Sequence, residues 1–313
     1  MVLRSKHQAD RVEATRTRVV PSPMRRGRAS ATSSLVTLLR ALAHEGLTEV
    51  RDFSDPTALP MLPPAWQLLF RLTQRRARNP WFRQRMLNPK SGARSDLVPL
   101  RTRVFDDAWH DAHSSGVRQL VLLGAGLDGR AFRLNDIADS CVFEVDHPAT
   151  QRLKRERAAS LVSRAKRHTY VAVDFENDSL PRALGVAGQR PDVPTCWIWE
   201  GVTPYLTRQA QRETLRGIAE RFAIGSRIAM TYVEPGGAKN GGTVRRIALV
   251  VRLFGEPFVG TMTRADAADL LADTGFRVVE DSDAQSWRQR YTDDASRPPD
   301  TFLERIAIAE KIG

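Results

Sequence analysis

Cysteine is scarce. The 313 residues contain two, Cys141 and Cys196, which allows one disulfide pair at most, and each lies in a short apolar run where a thiol packs as a small hydrophobe. Long apolar stretches are absent as well: nothing approaches the roughly 18 to 20 residues needed to span a bilayer. The first thirty residues carry charges where a secretory signal would have an apolar core. These absences lead to the expectation of a soluble, cytoplasmic protein with no membrane partner. A metal-ligand pattern is also lacking. His110 and His113 stand three apart on a helical stretch, but no third ligand of matching pattern follows, and no metal is expected.

Acidic residues are outnumbered, 36 against 48 basic, for a formal net charge of +12. Half of that excess lies in residues 1–30, which hold eight basic and two acidic residues, Pro21 and Pro23, and no sustained apolar periodicity. This reads as a solvated basic leader. A nucleic-acid arm is the competing reading, and no nucleic-acid partner is expected from it.

Ordered structure is expected from about Ser33. There, Leu35, Leu38, Leu39 and Leu42 recur at helical spacing, and prolines divide the region up to about His113 into short helices. After Val117 the texture changes. Apolar runs of strand length (Leu120 to Leu123, Cys141 to Val145, Tyr170 to Val173, Cys196 to Trp199, Ile228 to Val233) alternate with helical segments, the pattern of βαβ units and a mostly parallel sheet. One helix is expected from Pro148 to about Lys166 and another from Thr263 to Thr274, with strands at Phe276 to Glu280 and Phe302 to Ala309 closing the sheet as an antiparallel hairpin. Trp197 and Trp199 are expected as core residues on opposite faces of the sheet. The stretch from Glu234 to Pro257, with its glycine pairs 236–237 and 241–242, reads as an insertion able to form a lid.

The strongest local signal is Val121-Leu122-Leu123-Gly124-Ala125-Gly126-Leu127-Asp128-Gly129-Arg130, a buried strand entering a glycine turn and then a helix. Formally it is G-x-G-x-x-G, and an acidic residue follows about 20 positions on, Glu144 or Asp146. That much permits a dinucleotide cofactor, and an NAD(P)-dependent oxidoreductase is one reading; yet no tyrosine is followed four residues later by lysine, as a short-chain dehydrogenase needs. Three further features point to a sulfonium nucleoside. Asp146 ends the second strand, where a carboxylate can accept both ribose hydroxyls. The third strand ends Val173-Asp174-Phe175, a carboxylate and a ring suited to an adenine. The fourth ends Trp199-Glu200-Gly201, a lone carboxylate at the edge where open α/β folds bind ligands. Upstream, Arg101 could clamp a ligand carboxylate bidentately, while Arg103 fits a solvated helix face. Asp128 fits a helix-capping role and His147 a local one at the start of a helix.

Taken together, Arg101-Thr102-Arg103, Gly124-Ala125-Gly126-Leu127-Asp128, Phe143-Glu144-Val145-Asp146-His147-Pro148, Asp174 and Glu200-Gly201-Val202 with Tyr205-Leu206 resemble the leucine carboxyl methyltransferase family, in its actinobacterial branch. The resemblance runs from about Ser33 to the C-terminus. It implies a class I, Rossmann-like α/β methyltransferase fold with helices on both faces of the sheet, an N-terminal helical extension and a lid. It further implies S-adenosylmethionine as cofactor, with Arg101 on its carboxylate, Gly124 and Gly126 along the methionine, Asp146 (with Glu144 beside it) at the ribose, Asp174 and Phe175 at the adenine, and Glu200 at the methionine end. Tyr205 and Glu200 are the candidates for chemistry on a small-molecule acceptor, whose oxygen, carboxyl or hydroxyl, would take the methyl group. The expected division is a leader over 1–32 and one domain over 33–313: a helical part 33–115, a cofactor core 116–233, a lid 234–260 and a C-terminal part 261–313. A binding protein using the basic leader is the remaining alternative.

Overall fold

Five short apolar runs after Val117 become the parallel centre of a seven-stranded sheet: β1 Gln119–Leu123, β2 Cys141–Asp146, β3 Arg167–Ala172, β4 Thr195–Trp199 and β5 Arg227–Val233. The structure, a computed structural model, describes residues 31–87, 96–235, 258–293 and 304–311. Two later strands complete the sheet, β6 Phe276–Asp283 and β7 Glu304–Lys311, in the order β3-β2-β1-β4-β5-β7-β6, with β7 antiparallel to both neighbours. The strand order reverses between β1 and β4, so the carboxyl ends of these two strands open the crevice in which ligands of such sheets bind.

Helices cover both faces because the central strands are apolar on both sides. Leu120, Leu122, Cys196, Ile198 and Ala229 pack against Phe105 and Trp109 of α5 (Leu97–Ser114) and against Trp287 and Tyr291 of a late helix, α11 (Ala284–Tyr291). On the other face, Val121, Leu123, Phe143, Trp197 and Met230 meet α8 (Leu180–Ala187), α9 (Arg208–Ala219) and α10 (Arg264–Ala272). A smaller N-terminal layer contains α1 (Ala31–His44), α2 (Ala58–Met61), α3 (Pro64–Ala77) and α4 (Pro80–Leu87), with Leu38, Leu42, Leu62 and Phe70 at its centre. Two short helices follow β1 and β2 respectively, α6 (Arg130–Arg133) and α7 (Pro148–Arg157). No helix of the described residues is long and apolar enough to cross a membrane.

Three local expectations change. Trp197 and Trp199 share one face, with Ile198 between them on the other, because side chains two apart in a strand point the same way. The helix from Pro148 stops at Arg157, not near Lys166. Beyond Ala158 the chain docks on α6, where the Arg164 N–H and the Ser163 hydroxyl both donate to the Ala131 carbonyl. The last two strands are separated by α11, so they pair as neighbours without forming a tight hairpin. Of the leader, only Ala31 and Thr32 are described, and both already belong to α1. Most of the lid stretch, 236–257, lies outside the described residues. Its return is anchored: the Val259 and Gly260 N–H groups donate to the Pro204 carbonyl, and the Met262 N–H to that of Val233.

Candidate functional site

The carboxyl ends of β1, β2 and β4 frame a cleft whose far wall comes from the N-terminal helices. Gly124, Gly126, Asp146, Phe175, Glu200 and Tyr205 line the sheet side; Ser33, Thr37 and Arg40 of α1 and Arg101 of α5 face them.

Gly124 and Gly126 both have positive φ, +65° and +48°, values that L side chains rarely adopt. Their missing side chains also make room for protein. A Cβ on Gly124 would collide with Val202 after β4, and one on Gly126 would stand 3.3 Å from the Ser33 side chain. The turn is thus clamped between the loop after β4 and the start of α1, with its amides held in place. The Gly126 N–H donates to the Asp146 carboxylate, whose other oxygen accepts from the His147 N–H at 2.6 Å. Burial pushes the Asp146 carboxyl up to about 6 despite these two hydrogen bonds. His147 itself accepts from the Ala149 N–H and caps α7, the local role expected of it.

Below the cleft runs a chain of buried ion pairs. Arg101 donates from Nε to Glu200 at 2.9 Å and from Nη1 to Glu304 at 2.7 Å. Arg130, with no exposed surface, donates to Asp106 and Glu200 at 2.8 Å each and contacts Asp128 more closely still. Arg133 joins Asp106, and Arg40 lies 3.5 Å from Asp55 and donates to the Leu127 carbonyl at 2.6 Å. Burial alone would neutralise these groups, but the paired arginines outweigh it and hold Glu200 and Asp128 below their ordinary range. Glu304 is the exception: burial dominates and pushes its carboxyl up, although Arg101 is beside it. Four guanidinium groups (40, 101, 130, 133) thereby face five carboxyl groups (55, 106, 128, 200, 304), and Asp146 adds another carboxyl nearby, so acidic groups outnumber basic ones around the cleft.

Of the residues expected at a cofactor, Arg101, Gly124, Gly126, Asp146, Phe175 and Glu200 come together at the cleft, and Tyr205, expected on the acceptor side, lines it too. Two do not line it. Glu144 points into the packing between sheet and helix, 1% exposed, with Lys154 at 2.5 Å and His168 at 3.2 Å. Its neighbour across the strand is Leu122, so it occupies a core position that the Lys154 ammonium, with the His168 ring beside it, makes tolerable. Asp174 turns back on its own loop, accepting from the Glu176 N–H at 3.0 Å and the Asn177 amide at 2.8 Å, and so fixes the turn that carries Phe175. Both oxygens of Glu200 are taken by arginines. That makes it a holder of Arg101 and a poor proton acceptor, against the expectation of a chemical role. Asp128 accepts from the Arg130 N–H at 2.7 Å, which is the capping role anticipated. Arg103 faces Asp107, the Asp52 carbonyl and the Tyr291 ring, away from the cleft. His110 and His113 pair with separate aspartates, Asp136 and Asp139, and among the described residues no group of side chains could hold a metal ion.

Sequence reasoning overlooked Arg130, Arg40 and Glu304. Arg130 follows the glycine turn immediately, and an arginine opening a helix in an otherwise buried block is a signal that it is paired. Glu304 begins an apolar strand, the same pattern that singled out Glu200. Arg40 carried no comparable signal, since it reads as one more basic residue on an amphipathic helix.

A family model described as leucine carboxyl methyltransferase matches residues 33–219. A protein of Mycolicibacterium paratuberculosis named for S-adenosyl-L-methionine-dependent methyltransferase activity is 33% identical over 260 residues, covering 80% of this chain and 81% of its own length. A Mycolicibacterium smegmatis protein of the same name is 35% identical over 217 residues, covering 67% and 70%. Among solved structures, a DUF574 family protein from Streptomyces avermitilis shares the fold, with a TM-score of 0.56 at 16% identity over 91% of this chain and 99% of that one.

Proposed function

The chain belongs to the leucine carboxyl methyltransferase family and is an S-adenosylmethionine-dependent methyltransferase, and on that premise we propose that it methylates an oxygen, carboxyl before hydroxyl, of a small-molecule acceptor. The observation that carries the cofactor side of this reading is the surplus of carboxylate around the cleft. A sulfonium nucleoside bearing an ammonium group is drawn to that field, whereas a pyrophosphate is repelled by it.

The sulfonium supplies an already activated methyl group. What remains for the protein is alignment of acceptor, methyl carbon and sulfur, which can provide several kcal/mol of barrier reduction. Asp146 holds the ribose and Phe175 the adenine. Arg101 has one terminal nitrogen, Nη2, with no hydrogen bond or ion pair to a described residue, and this nitrogen is left to donate to the methionine carboxylate. Glu304 and Glu200 fix the guanidinium plane from which it does so.

The preference for a carboxyl acceptor rests on the want of a base. Glu200 is committed to two arginines, and a carboxylate nucleophile needs no proton removed, whereas a hydroxyl does. Tyr205, beside Phe258 at the cleft mouth, shapes the acceptor side. The test is product chemistry. Labelled methyl transferred to a panel of small carboxylic acids and phenols should be released by mild base, as from an ester; base-stable product formed on phenols alone would reject the carboxyl assignment.

A further inference from the structure

Helices α3 and α4 present an apolar stripe to solvent. Trp66, Phe70 and Ala77 turn α3 inward, Phe70 packing with Leu38 and Leu42, while Leu68, Leu69 and Leu72 lie on the opposite side, one helical turn or less apart. Leu68 is 59% exposed and Leu72 40% exposed. Past the turn, the Asn79 carboxamide caps α4 by accepting from the Trp81 N–H at 2.9 Å, and the Trp81 side chain stands 67% exposed with Arg85 over its ring. Three exposed leucines on α3 and an exposed tryptophan on α4, the next helix in the chain, are more apolar surface than scattered single residues account for.

The charge of the same segment has one sign. Residues 64–87 contain six arginines and no aspartate or glutamate. Arg71, Arg75, Arg76 and Arg78 are exposed and make no ion pair among the described residues. On the helix, Arg71 and Arg75 flank the leucine stripe on one side, and Arg76 lies one turn beyond Leu72. A second copy in an isologous contact would bring these arginines against each other, which argues against a dimer through this face. Nucleic acid would meet the arginines but leave the leucines without a partner. An apolar stripe edged by arginine, with tryptophan at one end, fits the interface of a bilayer with anionic headgroups.

We propose that α3 and α4 seat this protein on an anionic lipid surface, with Leu68, Leu72 and Trp81 entering the acyl boundary and the flanking arginines meeting the headgroups. The basic residues of 1–30 add a second, sequence-level attraction of the same sign. The expectation of no membrane partner came from the lack of a spanning run, which has no bearing on a surface contact.

The test is flotation of the full chain with phosphatidylcholine vesicles and with vesicles in which part of that lipid is replaced by phosphatidylserine, at low and raised salt. Binding should require phosphatidylserine and weaken with salt. It should fall at least tenfold both in a Leu68→Ser, Leu72→Ser, Trp81→Ser variant and in an Arg71→Glu, Arg75→Glu, Arg76→Glu variant, with circular dichroism and S-adenosylmethionine affinity unchanged. No binding by the intact chain, equal binding to both vesicles, or anionic binding that both variants retain (the basic leader acting alone) would each overturn the proposal. So would self-association of the intact chain that the leucine variant abolishes, which would make the occupant a second copy.

Discussion

At the residue scale, Asp146 gives the site its pH dependence. A carboxyl raised to about 6 by burial is still largely protonated where an ordinary aspartate is ionised. Its folded value lies above its unfolded one, so its contribution to stability is greatest at acid pH and is lost as pH climbs from about 4 through 6. For the ligand the sign is opposite, because accepting from ribose hydroxyls requires the ionised form. S-adenosylmethionine affinity should therefore rise between about pH 5 and 7, and calorimetry across that range should show the rise vanish in Asp146→Asn. Arg130 makes the converse case. It serves Asp106, Asp128 and Glu200 at once, so Arg130→Met strips Asp128 of its ion pair and leaves Asp106 with Arg133 alone and Glu200 with Arg101 alone. Removing one partner of a buried pair costs about 3 to 5 kcal/mol, and urea unfolding should register a loss of at least that size. Arg103→Ala, on the outer face of α5, should leave both stability and affinity near those of the unaltered protein.

At the element scale, the question is which loops face the cleft. Phe175 lines it while Asp174 ties its own turn, so Phe175→Ala should weaken cofactor binding roughly tenfold, about 1.4 kcal/mol. Asp174→Ala should act through loop order and cost less, with little change in the pH profile. Fluorescence titration of both variants separates the two roles. The same comparison marks what could be read from sequence. Gly124, Asp146 and Glu200 were legible because each interrupts an apolar strand at its carboxyl end, where topology alone brings strand tips together. Glu144 misled because it shares one face of β2 with Asp146, and only Asp146, at the carboxyl end of the strand, reaches the cleft; one pair further back, Lys154, ten residues away, turns the Glu144 position into a tolerable core site. The wall from α1 was not legible at all, since nothing in the helical pattern of residues 31–44 shows that Ser33 sits against Gly126 or that Arg40 reaches the Leu127 carbonyl. Contacts between elements far apart in sequence are set by packing, not by local pattern.

At the scale of the whole molecule, a chain of net charge +12 lines its cleft with three carboxyl groups, Asp128, Asp146 and Glu200, against two arginines, Arg40 and Arg101. The basic surplus lies elsewhere, in the first thirty residues and on α3 and α4, so overall charge and local charge have opposite signs. A protein read by net charge alone would be assigned an anionic ligand in its pocket; read by its ion pairs, it takes a cation there, and the anions of the proposed lipid contact belong to its surface. The most direct measurement is calorimetric titration of the full chain with S-adenosylmethionine, S-adenosylhomocysteine and NADPH, alongside Asp146→Ala and Arg101→Ala. The account predicts binding of the first two alone, weakened at least tenfold in either variant. Tighter binding of NADPH, or S-adenosylmethionine affinity untouched by both substitutions, would contradict it.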